Sequence, residues 1–93
     1  LLLVLADKTD YNHVCDGALV MGNMMLAAHS LGLGSCWINR ARQEVETEEG
    51  KAILKALGIE GEYEGIGHLI LGTPSGEPPK PAPRKPNRVY WAE

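Results

Sequence analysis

The sequence has 93 residues, of which 44% are hydrophobic, and it contains no Phe, so its apolar surface is almost wholly aliphatic. A chain of this length forms one small domain that buries only a modest share of its surface, so we expect a partner to cover the remainder. The net charge of −3 and the acidic pI of about 5.6 argue against a general nucleic-acid binder, and no apolar run approaches the roughly 20 residues of a membrane helix.

The first predicted element is a buried strand over residues 1–6, a short apolar run closed by Asp7. Because the sequence opens on this run without an initiator Met, we expect the chain to start in mid-strand. A secretory signal is disfavoured, since no basic segment precedes the short run and an acidic residue follows it at once.

A long helix is predicted from Val14 to Leu31. Its polar residues Asp16, Asn23 and Ser30 are spaced seven apart and share one stripe, while apart from His29 the remaining positions are apolar or small. A helix that is hydrophobic on nearly all sides is a buried one. So short a chain has little material to surround it, so the pattern predicts a central helix packed against a second subunit.

Glycines mark the ends of the predicted helices. Gly32 and Gly58 suit the left-handed position that follows a helix end. Between them we predict a short strand over Gly34–Ile38, a brief helical turn over Ala41–Glu46, and a helix capped at its start by Thr47.

A further strand is predicted from Tyr63 to Leu71. All six prolines follow within residues 74–86, so this segment must be extended and cannot pair regularly. Arg88–Trp91 is predicted to form a last edge strand. The element order predicts an α+β fold in which helices act as crossovers between strands.

Neither catalytic residues nor metal ligands emerge from the pattern. His13, His29 and His68 lack metal-binding spacing, and His68 is predicted to be a satisfied core residue. Cys15 and Cys36 are predicted to be buried and fit a reducing compartment. No nucleophile and base are paired, so any chemistry would come from a cofactor.

Two segments are candidates for ligand binding. An apolar strand runs into polar residues at Trp37-Ile38-Asn39-Arg40, which suits a planar ligand, although an ordinary packed strand end is the alternative. Arg84 and Lys85 lie between prolines that stiffen the backbone, and an arginine held in this way can grip a phosphate through two hydrogen bonds. A solvated basic tail is the alternative there.

Several motifs, taken in order, resemble the nitroreductase family. The most specific is the run Leu-Ala-Ala-His-Ser-Leu-Gly-Leu-Gly-Ser-Cys-Trp-Ile over residues 26–38. The resemblance covers nearly the whole chain, and it extends to Asp16-Gly17-Ala18, Leu54 to Ile59, His68 to Pro74, Pro81 to Pro86 and Val89 to Trp91.

The resemblance implies the C-terminal half of a nitroreductase-like domain. This is an α+β fold with a long central dimer-core helix, a mixed β-sheet and an extended Pro-rich tail over residues 74–93. It also implies an intertwined homodimer with flavin mononucleotide (FMN) at its interface. A backbone N–H of Asn39 or Arg40 would meet the flavin N5, and Arg84 with Lys85 would hold the phosphate. The cofactor-binding residues implied are Trp37, Ile38, Asn39, Arg40, Arg84 and Lys85.

The activity implied is hydride transfer from NAD(P)H through flavin N5 to a nitroaromatic, a quinone or a similar acceptor. From charge, apolar run length and cysteine usage we expect a cytoplasmic protein with no nucleic-acid or membrane partner. Two departures from the family stand out. Many relatives carry an acidic residue and a glycine where this chain has Asn39-Arg40. Family chains also have an N-terminal half with an Arg/Ser-rich segment that holds phosphate and the ribityl chain. This chain is therefore expected to be either a fragment or a natural truncation that lacks part of its active site.

Two other functions are compatible with the sequence. The chain would be a non-enzymatic dimerisation module if its Pro-rich tail bound only its neighbour. The Pro-x-x-Pro intervals at Pro78 to Pro81 and Pro83 to Pro86 also match ligands of proline-recognising domains.

Overall fold

The computed structural model of the protein describes residues 1–92, and all of its regular helices and strands lie before residue 73. The elements are β1 (Leu2–Asp7), α1 (His13–Ser30), β2 (Gly34–Ile38), α2 (Ala41–Glu46), α3 (Glu48–Ala56) and β3 (Tyr63–Gly72). Each agrees with the element predicted from the sequence to within two residues.

Strand β3 is the middle strand of a three-stranded sheet with the order β1-β3-β2. It pairs antiparallel with β1 on one side and with β2 on the other. The strands β1 and β2 therefore run in the same direction, and α1 is the crossover that joins them. The α+β class and the crossover are confirmed, while every pair of neighbouring strands in residues 1–92 is antiparallel rather than mixed.

Helix α1 packs on one face of this sheet and forms the core with it. Gly17 faces Ile66 so closely that a Cβ at this position would overlap the isoleucine side chain, which explains why the helix can approach β3. Met21 and Leu69 are both fully buried. The core consists of Val4, Met21, Ile66 and Leu69, with Ala6, Met24, Met25 and Trp37 packed around it.

The helix ends are those that the sequence predicts. Gly32 has a φ of 75° and Gly58 a φ of 76°, conformations that cost glycine little. The N–H of Leu33 donates to the Ala28 carbonyl at 2.9 Å, and that of Ile59 makes the equivalent bond to Leu54 at 2.9 Å.

One side of α1 is left without a cover. Leu19 is 69% exposed and Leu26 is 71% exposed, and both lie on the side of the helix opposite its buried residues Met21 and Ala28. We call it the open face of α1. The helix is therefore not enclosed by residues 1–92, as the expectation of a partner subunit requires.

The Pro-rich segment that follows β3 forms no helix or strand up to residue 92. The radius of gyration is 16.8 Å, against about 12 Å for a compact domain of this length. The predicted edge strand at Arg88–Trp91 is wrong, because Val89, Tyr90 and Trp91 are 72%, 82% and 88% exposed and lie against no sheet edge.

Within residues 1–92, no helix combines the length and the apolar character that crossing a bilayer requires.

Candidate functional site

The end of β2 is the centre of the candidate site. Pairing with β3 stops at Ile38, which lies opposite His68, and Asn39 and Arg40 form an exposed turn into α2. The backbone N–H groups of these two turn residues donate to no other backbone group in the described part of the chain. They are therefore available to a ligand.

The side chain of Trp37 points away from that turn and into the core. Its indole lies against Gly67, where an added Cβ would come within 2.6 Å of Nε1. The Trp37 side chain therefore packs beneath α1, and only its backbone belongs to the strand end. Ile38 is half-buried on the opposite side of the strand.

Helix α2 holds the far side of the turn. Arg40 is its N-terminal cap residue, and its carbonyl accepts the N–H of Glu44 at 3.0 Å. Ala41 is 1% exposed and rests directly on Gly65, where any Cβ would overlap the Ala41 carbonyl oxygen. This contact of backbone on backbone fixes the start of α2 on β3.

Two polar contacts join α2 to the same strand. Nε of Arg42 lies 3.5 Å from Oε1 of Glu64, and the Glu44 carboxylate is hydrogen-bonded to Nε2 of His68. Glu64 also lies 3.3 Å from His13 of α1. Sequence analysis missed Glu44, Glu64 and Gly65, and the only local signal was the run of polar and small residues that interrupts an otherwise apolar strand.

His68 is only partly satisfied, in contrast to the prediction. Its side chain is 15% exposed and uses Nε2 for Glu44. The other ring nitrogen, Nδ1, is buried and has no hydrogen-bond partner within residues 1–92. A buried polar atom without a partner is unusual in a folded protein.

The prediction that both cysteines are buried is wrong. Cys15 and Cys36 are exposed free thiols. Cys15 belongs to α1, much of which is uncovered, and Cys36 points to the sheet face opposite Trp37, since side chains alternate along a strand.

Arg84 and Lys85 are exposed in the tail. Neither forms an ion pair with a side chain in residues 1–92, and no hydrogen bond joins either of them to Trp37–Arg40. The structure therefore brings together the first four predicted site residues but not the two basic ones.

A groove of about 520 Å³ runs along the open face of α1 beside β2. It is lined by Ala18, Leu19, Gly22, Asn23, Met25, Leu26 and Ser35. Within residues 1–92 no three His, Cys, Asp or Glu side chains are grouped so that they could hold a metal ion.

The fold and site define an α+β domain with a strand end that offers free backbone donors beside an uncovered apolar helix. A model of the nitroreductase family matches residues 7–73, and the chain belongs to this family.

The chain is also similar to a crystal structure of a nitroreductase with bound FMN from Bacteroides fragilis NCTC 9343. The TM-score is 0.86 at 30% sequence identity, over 98% of this chain and 49% of that one. The chain thus spans about half the length of that structure. No curated protein matches it.

Proposed function

We propose that the chain forms part of an FMN-dependent oxidoreductase of the nitroreductase family that works as a homodimer. When bound, FMN supplies the redox chemistry, carrying a hydride from NAD(P)H through its N5 atom to a nitroaromatic, a quinone or a similar acceptor. Family membership and the FMN bound in the similar structure support this proposal.

The observation that carries the proposal is the pair of free backbone donors at Asn39 and Arg40. The turn is held by β-pairing at Ile38 on one side and by docked α2 on the other. Donors fixed in advance stabilise developing negative charge without reorganisation. These residues therefore fit the flavin edge, with one N–H donating to N5 and Trp37 and Ile38 contributing backbone.

Arg84, with Lys85, would hold the FMN phosphate. Both side chains are exposed and carry no ion pair in residues 1–92, so neither must give up a partner to bind an anion. Pro83 and Pro86 flank them and reduce the backbone freedom lost on binding. A guanidinium can donate two parallel hydrogen bonds to one phosphate.

A second copy of the chain would cover the open face of α1. The exposed leucines on this face would gain from burial in proportion to the apolar area removed from water. The groove beside β2 would then lie at the interface, close to the strand that leads to Asn39.

The cytoplasm is the compartment we assign to the protein. Two exposed free thiols, Cys15 and Cys36, fit a reducing environment better than an oxidising one, where such groups tend to form disulfides.

Flavin titration of an Arg84→Ala variant tests the proposal. The protein should be expressed with any coding sequence that flanks these residues in its gene. Loss of the charge-assisted contact should weaken FMN binding by about 1–3 kcal/mol. Lys80→Ala is the matched control, because Lys80 is a basic residue of the same tail, and this variant should bind FMN like the unaltered protein.

Equal FMN affinity in the Arg84→Ala and Lys80→Ala variants would remove Arg84 from the phosphate site. Failure of the unaltered protein to bind FMN would contradict the whole proposal.

A non-enzymatic dimerisation module is the second candidate, and the open face of α1 together with the exposed tail favours it. Analytical ultracentrifugation with and without residues 77–93 distinguishes the two functions. A well-folded dimer that depends on the tail and never takes up flavin would establish the second.

A further inference from the structure

We propose that His68 and Glu44 form a clamp that positions the Asn39–Arg40 turn for its ligand. The two side chains are positioning residues, because they act through the backbone of the turn. This inference rests on the proposed function, in which the N–H groups of the turn meet the flavin.

The clamp closes a short loop of chain on one residue of β3. His68 lies opposite Ile38, the last paired residue of β2, and its ring binds the Glu44 carboxylate. Glu44 in turn donates its own N–H to the Arg40 carbonyl at 3.0 Å. The segment between Ile38 and Glu44 is therefore held at both ends by the same histidine, with the free donors in between.

The second polar tie between α2 and β3 is weaker than the clamp. The Arg42 side chain is 66% exposed and its Nε lies 3.5 Å from Glu64, so water screens this ion pair. The two pairs are exposed to a similar extent, 15% for His68 and 55% for Glu44 against 66% for Arg42 and 15% for Glu64. Within residues 1–92, however, the His68 and Glu44 side chains share a hydrogen bond, whereas Arg42 and Glu64 form only an ion pair. The hydrogen-bonded pair therefore contributes more to holding the turn.

Glu44 also determines the orientation of the His68 ring. The carboxylate accepts a hydrogen bond, so the Nε2 atom must carry the proton. Nδ1 is buried without a partner in the described residues, which leaves Glu44 as the only polar group there that orients the ring. Removing the carboxylate leaves the ring without a hydrogen-bond partner in the described residues. Helix α2 then loses one of its ties to β3, while the Ala41–Gly65 contact and the Arg42–Glu64 ion pair remain.

Amide hydrogen exchange in the ligand-free protein tests the clamp directly. The variants are Glu44→Ala, Glu44→Gln and the matched control Gln43→Ala, which changes the neighbouring residue of the same helix. The protein is expressed with any coding sequence that flanks these residues. We expect exchange of the hydrogen-bonded amides at residues 44–47, which include those of Glu44 and Thr47, to quicken about tenfold in Glu44→Ala, the effect of losing one hydrogen bond to a charged group. Exchange in the β1–β3 pairs should not change.

FMN affinity is the second readout. Glu44→Ala should raise the FMN dissociation constant by the factor by which it lowers the fraction of molecules with an ordered turn, since only that fraction binds. Glu44→Gln keeps an acceptor oxygen for His68 and should restore most of both properties. Gln43→Ala should match the unaltered protein in both.

Three results would overturn the clamp as a positioning device. One is unchanged exchange of the hydrogen-bonded amides at residues 44–47 in Glu44→Ala, and another is faster local exchange with unaltered FMN affinity. The third is a loss of protection that extends equally to β1 and β3, which would make the pair a general stabiliser. If the unaltered protein binds no FMN, the proposed function fails, while the exchange rates still decide whether the clamp exists.

Discussion

At the scale of single residues, the backbone of β3 lies closer to its neighbours than a side chain at the same positions would permit. Gly65 lies against the Ala41 carbonyl oxygen, and Gly67 lies against the Trp37 indole. Both glycines belong to the central strand, which packs α1 and α2 through its backbone as well as through its side chains. Their missing side chains therefore allow the close docking that holds the candidate site.

Substitution of Gly65 tests this docking. In Gly65→Ala the added methyl would overlap the Ala41 carbonyl oxygen, and such overpacking typically lowers the free energy of unfolding by about 1–3 kcal/mol. Gly72→Ala is the control on the same strand, because no atom lies within 4 Å of its added Cβ. Urea denaturation measures both, and equal stability of the two variants would show that the close approach has no energetic consequence.

Asp7, at the end of β1, provides a prediction about pH. The Thr9 hydroxyl donates to its carboxylate at 2.7 Å and the Thr9 N–H at 2.9 Å, and these bonds lower the pKa of Asp7 in the folded protein. A lowered carboxyl pKa stabilises the fold above the pKa of the unfolded chain, and this contribution is lost as the pH falls through the folded pKa.

Thr9→Val removes the hydroxyl and should raise the pKa of Asp7 towards its ordinary value, so that less stability is lost in acid. Titration of the Asp7 carboxyl carbon by NMR measures the change. Thr73→Val alters a threonine after β3 and should leave the pKa of Asp7 where it is. The same pKa in Thr9→Val as in the unaltered protein would assign the shift to another cause.

At the scale of elements, one side chain stabilises the boundary between two consecutive helices. Thr47 closes α2 and opens α3: its hydroxyl donates to the Glu44 carbonyl at 2.7 Å and accepts the Gly50 N–H at 3.0 Å. The same residue thus stabilises the helix that follows the Asn39–Arg40 turn and the helix after it.

Loss of this cap should be measurable. Thr47→Ala removes both side-chain hydrogen bonds and should lower the free energy of unfolding by about 1 kcal/mol, as expected for an N-cap. Thr47→Ser retains the hydroxyl and should recover most of that loss. Thermal unfolding followed by circular dichroism compares them, and an alanine variant as stable as the serine variant would show that the cap contributes nothing.

At the scale of the whole molecule, the open face of α1 is an apolar surface that residues 1–92 leave exposed to solvent. It presents Leu19 and Leu26 to solvent, and large apolar patches on folded proteins mark interaction sites. The sequence predicts this uncovered apolar surface, because the helix predicted over residues 14–31 has too few polar residues to form a solvent-facing side.

Leu26→Gln should therefore weaken self-association. Burying one leucine contributes about 1.5–3 kcal/mol, and each copy in a dimer would lose it, so the dissociation constant should rise at least about a hundredfold. Leu57→Gln is the matched control, since Leu57 is 67% exposed and Leu26 is 71% exposed. Sedimentation velocity measures both, and equal association would place the interface elsewhere.

The sequence by itself determined the local features of this protein: the position of every strand and helix before residue 73, the glycine-terminated helix ends, the Thr47 cap and the excess of apolar surface on α1. These features depend on residues only a few positions apart in the chain, so the local sequence pattern is enough to predict them. The resemblance of residues 26–38 to the nitroreductase family also came from sequence, and membership is confirmed.

Tertiary structure alone decided which distant residues meet. Glu44 binds His68 across 24 positions, Gly65 receives Ala41, and both cysteines lie on uncovered surfaces. None of these contacts and exposures follows from composition or spacing. They depend on how α2 docks on β3, and on which helix and sheet faces the 92 described residues leave exposed to solvent. The roles of Trp37–Arg40, Arg84 and Lys85 as ligand-binding residues stay predictions, since no hydrogen bond or ion pair within residues 1–92 joins the two groups.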